Sequence, residues 1–218
     1  MRRVAIPALA LAAWAFAAGC SDQRPESGPA PSVEKAQQGK KGPQMSEREN
    51  LVTMKGKPLT LVGSAVQVGD AAPDATLAAN DLSEVRLSSF RGKVVLLATV
   101  PSLDTGVCSV ETRRFNQEAA ALGDSVVVLT VSMDLPFAQK RWCGAEGVQR
   151  VVTLSDHRDA SLGLAYGVLI KELRLLARAV FVIDPQGRIA YVELVPEIGH
   201  EPNYEAALQA VQALTKGK

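Results

Sequence analysis

The pattern of apolar and polar positions divides the chain into three stretches. Residues 4–18 form an uncharged apolar run, residues 21–50 carry few large apolar side chains, and from Leu51 onward short apolar runs alternate with turn-forming clusters. Within the last stretch, Val94–Val100 and Ser125–Val131 carry no charge and read as buried strands. Leu51–Met54 and Leu59–Val62 flank Lys55-Gly56-Lys57-Pro58, which predicts an N-terminal β-hairpin. Ala75–Leu77 and Val85–Leu87 read as short strands around Asn80-Asp81, and Val151–Leu154 as another. Ala179–Ile183 and Arg188–Val192 are strands joined by Asp184-Pro-Gln-Gly187, each residue of which suits a turn. Val107, Val110, Phe115, Ala119 and Leu122 recur at helical spacing. Asp134-Leu-Pro136 starts a second helix, which runs from Phe137 to Cys143 until Gly144 stops it. Ala160–Tyr166 predicts a short helix and Tyr204–Leu214 an amphipathic one. The order β-α-β-α-β-β-α describes an α/β fold with a central mixed sheet flanked by helices. A thioredoxin-like fold with an extra helix gives that order. Length and pattern by themselves are also compatible with another open α/β sheet.

The first two stretches read as an address and a tether. Met1-Arg2-Arg3 followed by the apolar run Val4–Ala18 has the layout of a secretory signal peptide. The run is shorter than the roughly 20 apolar residues a membrane-spanning helix needs. Its end, Ala17-Ala18-Gly19-Cys20, resembles the lipobox of bacterial lipoproteins. That resemblance implies a signal peptide over residues 1–19 and a lipid on Cys20. The protein would then be an exported, periplasmic or cell-envelope lipoprotein held at the membrane by its lipid alone. Ser21 after the cysteine leans towards the outer membrane, by analogy with such lipoproteins. An ordinary cleavable signal with a chance cysteine is the plainer alternative. Residues 21–50 hold four prolines, three glycines and no aromatic residue, too little to build a core. Residues 20–50 are therefore expected to be a disordered tether spanning roughly 30 Å, and residues 51–218 the folded domain.

Composition narrows the function classes. The net charge of +1 gives no reason to expect a nucleic-acid partner. Three cysteines and two histidines are too few for a typical structural zinc site. His157 and His200 stand beside turn-like sequence and read as surface residues. Arg113 and Arg114 read as the solvated face of their helix, and Lys171–Ala177 as a loop or helical turn leading to Arg178.

The chemistry gathers in Pro101–Phe115. Pro101 cannot donate to a sheet ladder, so the strand before it should stop there. Thr105 is placed as a helix N-cap, which puts Cys108 in the first turn, where unpaired N–H groups and the positive end of the dipole converge. A thiol there loses its proton more readily, and the thiolate is the nucleophile.

The stretch Pro101-x-x-x-Thr105-x-x-Cys108 is similar to the active-site motif of peroxiredoxins. Together with Asp134-Leu-Pro-Phe-Ala-Gln139-x-x-x-Cys143 and Leu175-Leu-Ala-Arg178, it resembles the thiol peroxidase subfamily of atypical two-cysteine peroxiredoxins. The resemblance covers about residues 51–218. It implies that Cys108 is the peroxidatic cysteine and Cys143 the resolving cysteine, joined as an intrachain disulfide after each oxidation. It also implies that Thr105 bonds near the thiolate and peroxide, that Pro101 shields the site, and that Arg178 holds thiolate and peroxide. Gly106 stands where many members have proline, and Trp142 where phenylalanine is common; neither change removes a reacting group. The implied activity is reduction of hydrogen peroxide and alkyl hydroperoxides, with a thioredoxin-like dithiol as reductant, in a homodimer, without metal, haem or flavin.

Two other readings compete. A thiol–disulfide oxidoreductase is disfavoured by the lack of any Cys-x-x-Cys. A non-catalytic module with a permanent Cys108–Cys143 disulfide would gain roughly 3–4 kcal/mol from closing that loop, but leaves the helix-start position of Cys108 unexplained.

Overall fold

The structure, a computed structural model, describes residues 46–215. The signal-peptide and Cys20 readings, and the tether reading up to residue 45, lie outside the described residues. The elements in order are β1 (Glu47–Met54), β2 (Lys57–Val62), β3 (Thr76–Ala78), β4 (Glu84–Arg86), β5 (Val94–Thr99), α1 (Gly106–Ala119), β6 (Val126–Ser132) and α2 (Pro136–Glu146). There follow β7 (Val151–Ser155), α3 (Ser161–Ala165), β8 (Leu169–Ile170), β9 (Leu175–Leu176), β10 (Ala179–Ile183), β11 (Ile189–Leu194) and α4 (Tyr204–Thr215).

The main sheet has the strand order β11-β10-β5-β6-β7-β3-β4. Its centre, β5-β6-β7, is parallel, while β10 and β3 join it antiparallel, so the sheet is mixed. The uncharged run of β5 follows from its place. With a side-chain period of two, Val95 and Leu97 enter one core while Val94, Leu96 and Ala98 enter the other. Both faces are covered, so no position can carry charge. Burying Leu96 and Leu97 alone is worth about 1.5–3 kcal/mol each. The first core packs under β1, β2, β8, β9 and α3, and the second under α1, α2 and α4.

The expected hairpin forms, and extends further back. β1 starts at Glu47, inside the stretch read as tether, and a bulge between Arg48 and Val52 takes up the shift of register. Lys55 and Gly56, both at positive φ, make the turn. Residues 171–174 form the expected turn, but Leu175–Leu176 beyond it is the strand β9, which pairs with β8 in a small hairpin that extends the β1-β2 sheet through Leu61–Ile170 and Val62–Leu169. Strands of two residues have no room to show an alternating pattern, so this pairing exists only through its neighbour. The second helix does not end at Gly144. It runs to Glu146 and stops where Gly147 adopts the left-handed conformation.

Candidate active site

The first turn of α1 carries Cys108. β5 ends at Thr99, Pro101 is buried in the bend that follows, and Thr105 is the N-cap residue. No side chain caps the helix. The Thr105 hydroxyl instead stands 2.9 Å from both the carbonyl of Ser102 and the Sγ of Cys108. One hydroxyl proton thus faces two acceptors. A Cys108 thiol can donate to Thr105 while Thr105 donates to Ser102; a thiolate instead accepts the hydrogen bond from the Thr105 hydroxyl. Thr105 is exposed, Cys108 lies fully buried behind it, and the backbone N–H groups of the first turn remain uncapped.

Arg178, one residue before β10, reaches the same sulfur from the sheet. Its Nη2 donates to Cys108 Sγ at 3.2 Å and to the Ile198 carbonyl at 2.9 Å, and its Nε donates to the same carbonyl at 3.1 Å. Its Nη1 is paired in direct contact with Glu111 Oε2. Both side chains are buried, and a lone charge in that setting would be costly. Burial outweighs the pull of the Arg178 guanidinium and holds the Glu111 carboxyl up at about 7. For Arg178, burial opposes the charge, but Glu111 and Cys108 outweigh it and hold the guanidinium's pKa up. With the two groups in contact, the ion pair is the arrangement the geometry supports. The second oxygen of Glu111, Oε1, has no partner among the described residues.

Glu111 was not singled out in the sequence. The signal was present as a polar stripe: Cys108, Glu111, Thr112 and Phe115, at i, i+3, i+4 and i+7, are the buried face of α1. The apolar stripe expected to face the core is only partly inside, for Val110 is 40% exposed. The helix turns its polar residues inward because Glu111 has a buried cation to meet.

A second polar cluster fixes the approach to α1. Asp134-Leu-Pro136 does start α2, with Leu135 as the N-cap residue and Pro136 in the first turn, which leaves the Asp134 side chain free for other partners. The Asp134 carboxylate accepts from Ser102 Oγ (2.7 Å), Leu103 N (2.8 Å) and Ser132 Oγ (2.8 Å), tying the loop before Cys108 to the end of β6. Gln139, fully buried on α2, donates to Ser132 Oγ and to the Leu154 carbonyl, both at 2.9 Å. Arg113 and Arg114 are half-buried rather than a solvated face: Arg113 pairs with Glu146 of α2 at 2.6 Å, and Arg114 lies 4.2 Å over the Tyr204 ring of α4.

Cys143 sits on α2, half-buried, with its sulfur 3.3 Å from Thr153 Oγ1 of β7. Cys108 and Cys143 are both free thiols. Thr105, Cys108 and Arg178 thus share one site, Pro101 lies buried in the bend that leads to it, and Cys143 is on the adjoining helix. A depression of about 270 Å³ opens in front of Thr105, between Thr105, Gly106 and Ser109 of one segment and Trp142 and Glu146 of the other. A second, of about 360 Å³, opens beside Cys143, against Asn80, Asp81, Val152 and Thr153. His157 is half-buried beside Ser155 and His200 exposed; neither contacts the site.

Comparison with known proteins bears on this geometry. Residues 67–208 match the Redoxin family. The chain is 58% identical over 165 residues to the thiol peroxidase of Bacillus subtilis (strain 168), covering 76% of this chain and 98% of that protein. It is 56% identical over 164 residues to the thiol peroxidase of Streptococcus pneumoniae (strain R6), covering 75% of this chain and all of the other. The crystal structure of a peroxiredoxin-like protein from Aquifex aeolicus superposes with a TM-score of 0.72 at 47% identity, over 78% of this chain and 98% of that one.

Proposed function

The chain belongs to the Redoxin family as a thiol peroxidase, and from that premise we propose how its residues divide the work. Cys108, as thiolate, attacks one oxygen of hydrogen peroxide or an alkyl hydroperoxide. The S–O bond forms as the O–O bond breaks, and the departing alkoxide or hydroxide takes up a proton. Thr105, Arg178 and the uncapped N–H groups of α1 supply donors where negative charge develops on oxygen, an arrangement that commonly contributes most to catalysis. The observation that carries this reading is the convergence of Thr105 and Arg178 on one buried sulfur at an uncapped helix start.

Cys108 is left as a sulfenic acid. The Cys143 thiol condenses with it, releasing water and forming an intrachain disulfide. Because Cys108 is buried and Cys143 faces β7, that bond requires the first turn of α1 and part of α2 to open. A thioredoxin-like dithiol then reduces the disulfide by exchange. The test is direct. The purified protein consumes hydrogen peroxide and an alkyl hydroperoxide when supplied with thioredoxin or a small dithiol, and no turnover with any donor would sink the reading.

The same reading extends to assembly and location. The chain acts as a homodimer, supported by Leu135 and Phe137, which are 53% and 64% exposed at the start of α2. Sedimentation at the mass of a single 23.1 kDa chain would count against it. The chain is exported and lipidated at Cys20, as the lipobox-like sequence suggests; a Cys20→Ser protein that still incorporates labelled palmitate would refute that site.

A further inference from the structure

The N-terminal hairpin has no part in the chemistry as described, yet it is bonded through the N–H of Ile198 to the residue whose carbonyl aims Arg178. Ile198, in the loop between β11 and α4, offers its carbonyl to both Nε and Nη2 of Arg178. That loop is held from the other side by Thr53 of β1, whose N–H donates to Pro196 O at 2.6 Å and whose carbonyl accepts from Ile198 N at 3.0 Å. Glu197, between them, reaches over the hairpin turn. Its carboxylate accepts from Thr53 Oγ1 (2.9 Å), Lys55 N (3.1 Å), Gly56 N (3.1 Å) and Gly199 N (3.3 Å). The left-handed backbone at Lys55 and Gly56 turns two successive N–H groups towards one acceptor, the geometry of an anion-binding concavity. Those donors, Gly56 first, hold the Glu197 carboxyl down to about 2, so it is charged at any ordinary pH.

We propose that Glu197 is a positioning residue for the peroxidase reaction, locking the β1-β2 turn to the Ile198 carbonyl and so fixing the guanidinium of Arg178 against Cys108. The inference rests on the peroxidase reading. The chain of contacts is short: turn to Glu197, Glu197 to its neighbour Ile198, Ile198 to Arg178, Arg178 to sulfur. A guanidinium that must serve sulfur, a carbonyl and Glu111 at once tolerates little displacement. Misplacement of a charge-stabilising group by a fraction of an ångström is enough to slow a step by roughly 10-fold.

The experiment compares the full chain with its Glu197→Ala and Glu197→Gln variants, folded by circular dichroism. The second-order rate of Cys108 oxidation by hydrogen peroxide is followed on the Cys108 peptide, beside the rate of its alkylation by iodoacetamide. The expected result is oxidation slowed roughly 10-fold in Glu197→Ala, with partial recovery in Glu197→Gln, which keeps one acceptor oxygen. Alkylation, which needs no peroxide alignment, should fall less than oxidation, so the ratio of the two rates drops. A residue that only stabilises the fold lowers the melting temperature and leaves that ratio alone. Should Glu197→Ala fail to fold, Thr53→Val decides by the same ratio. An unchanged ratio in the folded variants, with the wild-type chain active, overturns the proposal. An inert wild-type chain is a separate result, and defeats the peroxidase reading and this inference together.

Discussion

Replacing Cys108 with serine removes hydroperoxide consumption, by at least about 10³-fold, because a hydroxyl at that position supplies no thiolate and the remaining donors have no nucleophile to serve. Replacing Cys143 with serine has a different signature. The first equivalent of peroxide is consumed at the wild-type rate, since Cys143 does not touch the Cys108 sulfur or its donors, and turnover with a large dithiol donor then stops. The sulfenic acid persists on Cys108 and can be trapped with a carbonyl-activated carbon nucleophile such as dimedone, then read by mass. Rapid-mix thiol titration separates the two variants: none of the Cys108 thiol lost in one case because it is absent, one lost per chain in the other. A Cys143→Ser protein that sustained full turnover with thioredoxin would remove the resolving role. A Cys108→Ser protein that kept wild-type turnover would remove the whole mechanism.

Arg178→Ala has the second-largest effect, and it acts on two quantities. The Cys108 sulfur loses its 3.2 Å donor, and the peroxide loses the cation beside it, so the oxidation step slows by about 10²–10³-fold. The fold loses about 3–5 kcal/mol as well, because Glu111 is left buried without its cation. The two losses can be taken apart. Arg178→Met together with Glu111→Leu replaces the buried pair with apolar side chains, an exchange that is often close to neutral for stability. Denaturant unfolding of the double variant should return most of the lost stability, while its oxidation rate stays as low as that of Arg178→Ala. Arg178→Lys keeps the charge but lacks the planar fork that reaches sulfur, the Ile198 carbonyl and Glu111 together, so it recovers only part of the rate. Wild-type oxidation in Arg178→Ala would show that the sulfur needs no cation.

The hairpin link gives this arginine a wider setting. Arg178 is held from three directions: by Glu111 from α1, by the Ile198 carbonyl from the loop after β11, and by the strand β10 that begins at its neighbour Ala179. Only the first lies on the same helix as the reacting sulfur. The sheet therefore places the guanidinium and the helix places the Cys108 sulfur. The site exists only where β5 and β10 bring the two together, Thr99 pairing with Ala179 next to Arg178.

The linear chain determined the longer strands and the helix-start place of Cys108. β5 and β6 are legible because burial on both faces leaves no position for charge. Cys108 is legible because Pro101, Thr105 and the following helical spacing place it at a helix start whatever the rest of the molecule does. The pairing of Asp184-Pro-Gln-Gly187 with a hairpin turn is equally local, with Asp184 Oδ1 accepting from Gln186 N and Arg188 N. Which side chains of α1 and α2 go inside was not local. Glu111, Thr112 and Gln139 are buried while Val110 and Phe137 lie out, the reverse of what hydropathy expects. Two of the inverted positions meet a partner outside their own helix: Glu111 answers Arg178, 67 residues away, and Gln139 donates to the Leu154 carbonyl of β7. The same holds for Asp134, whose carboxylate becomes a loop anchor once Ser102 and Leu103 are beside it. Periodicity records the average preference of a helix face for water or oil. A buried ion pair overrides that preference only after folding has brought its other half within reach, so the tertiary structure alone could decide it.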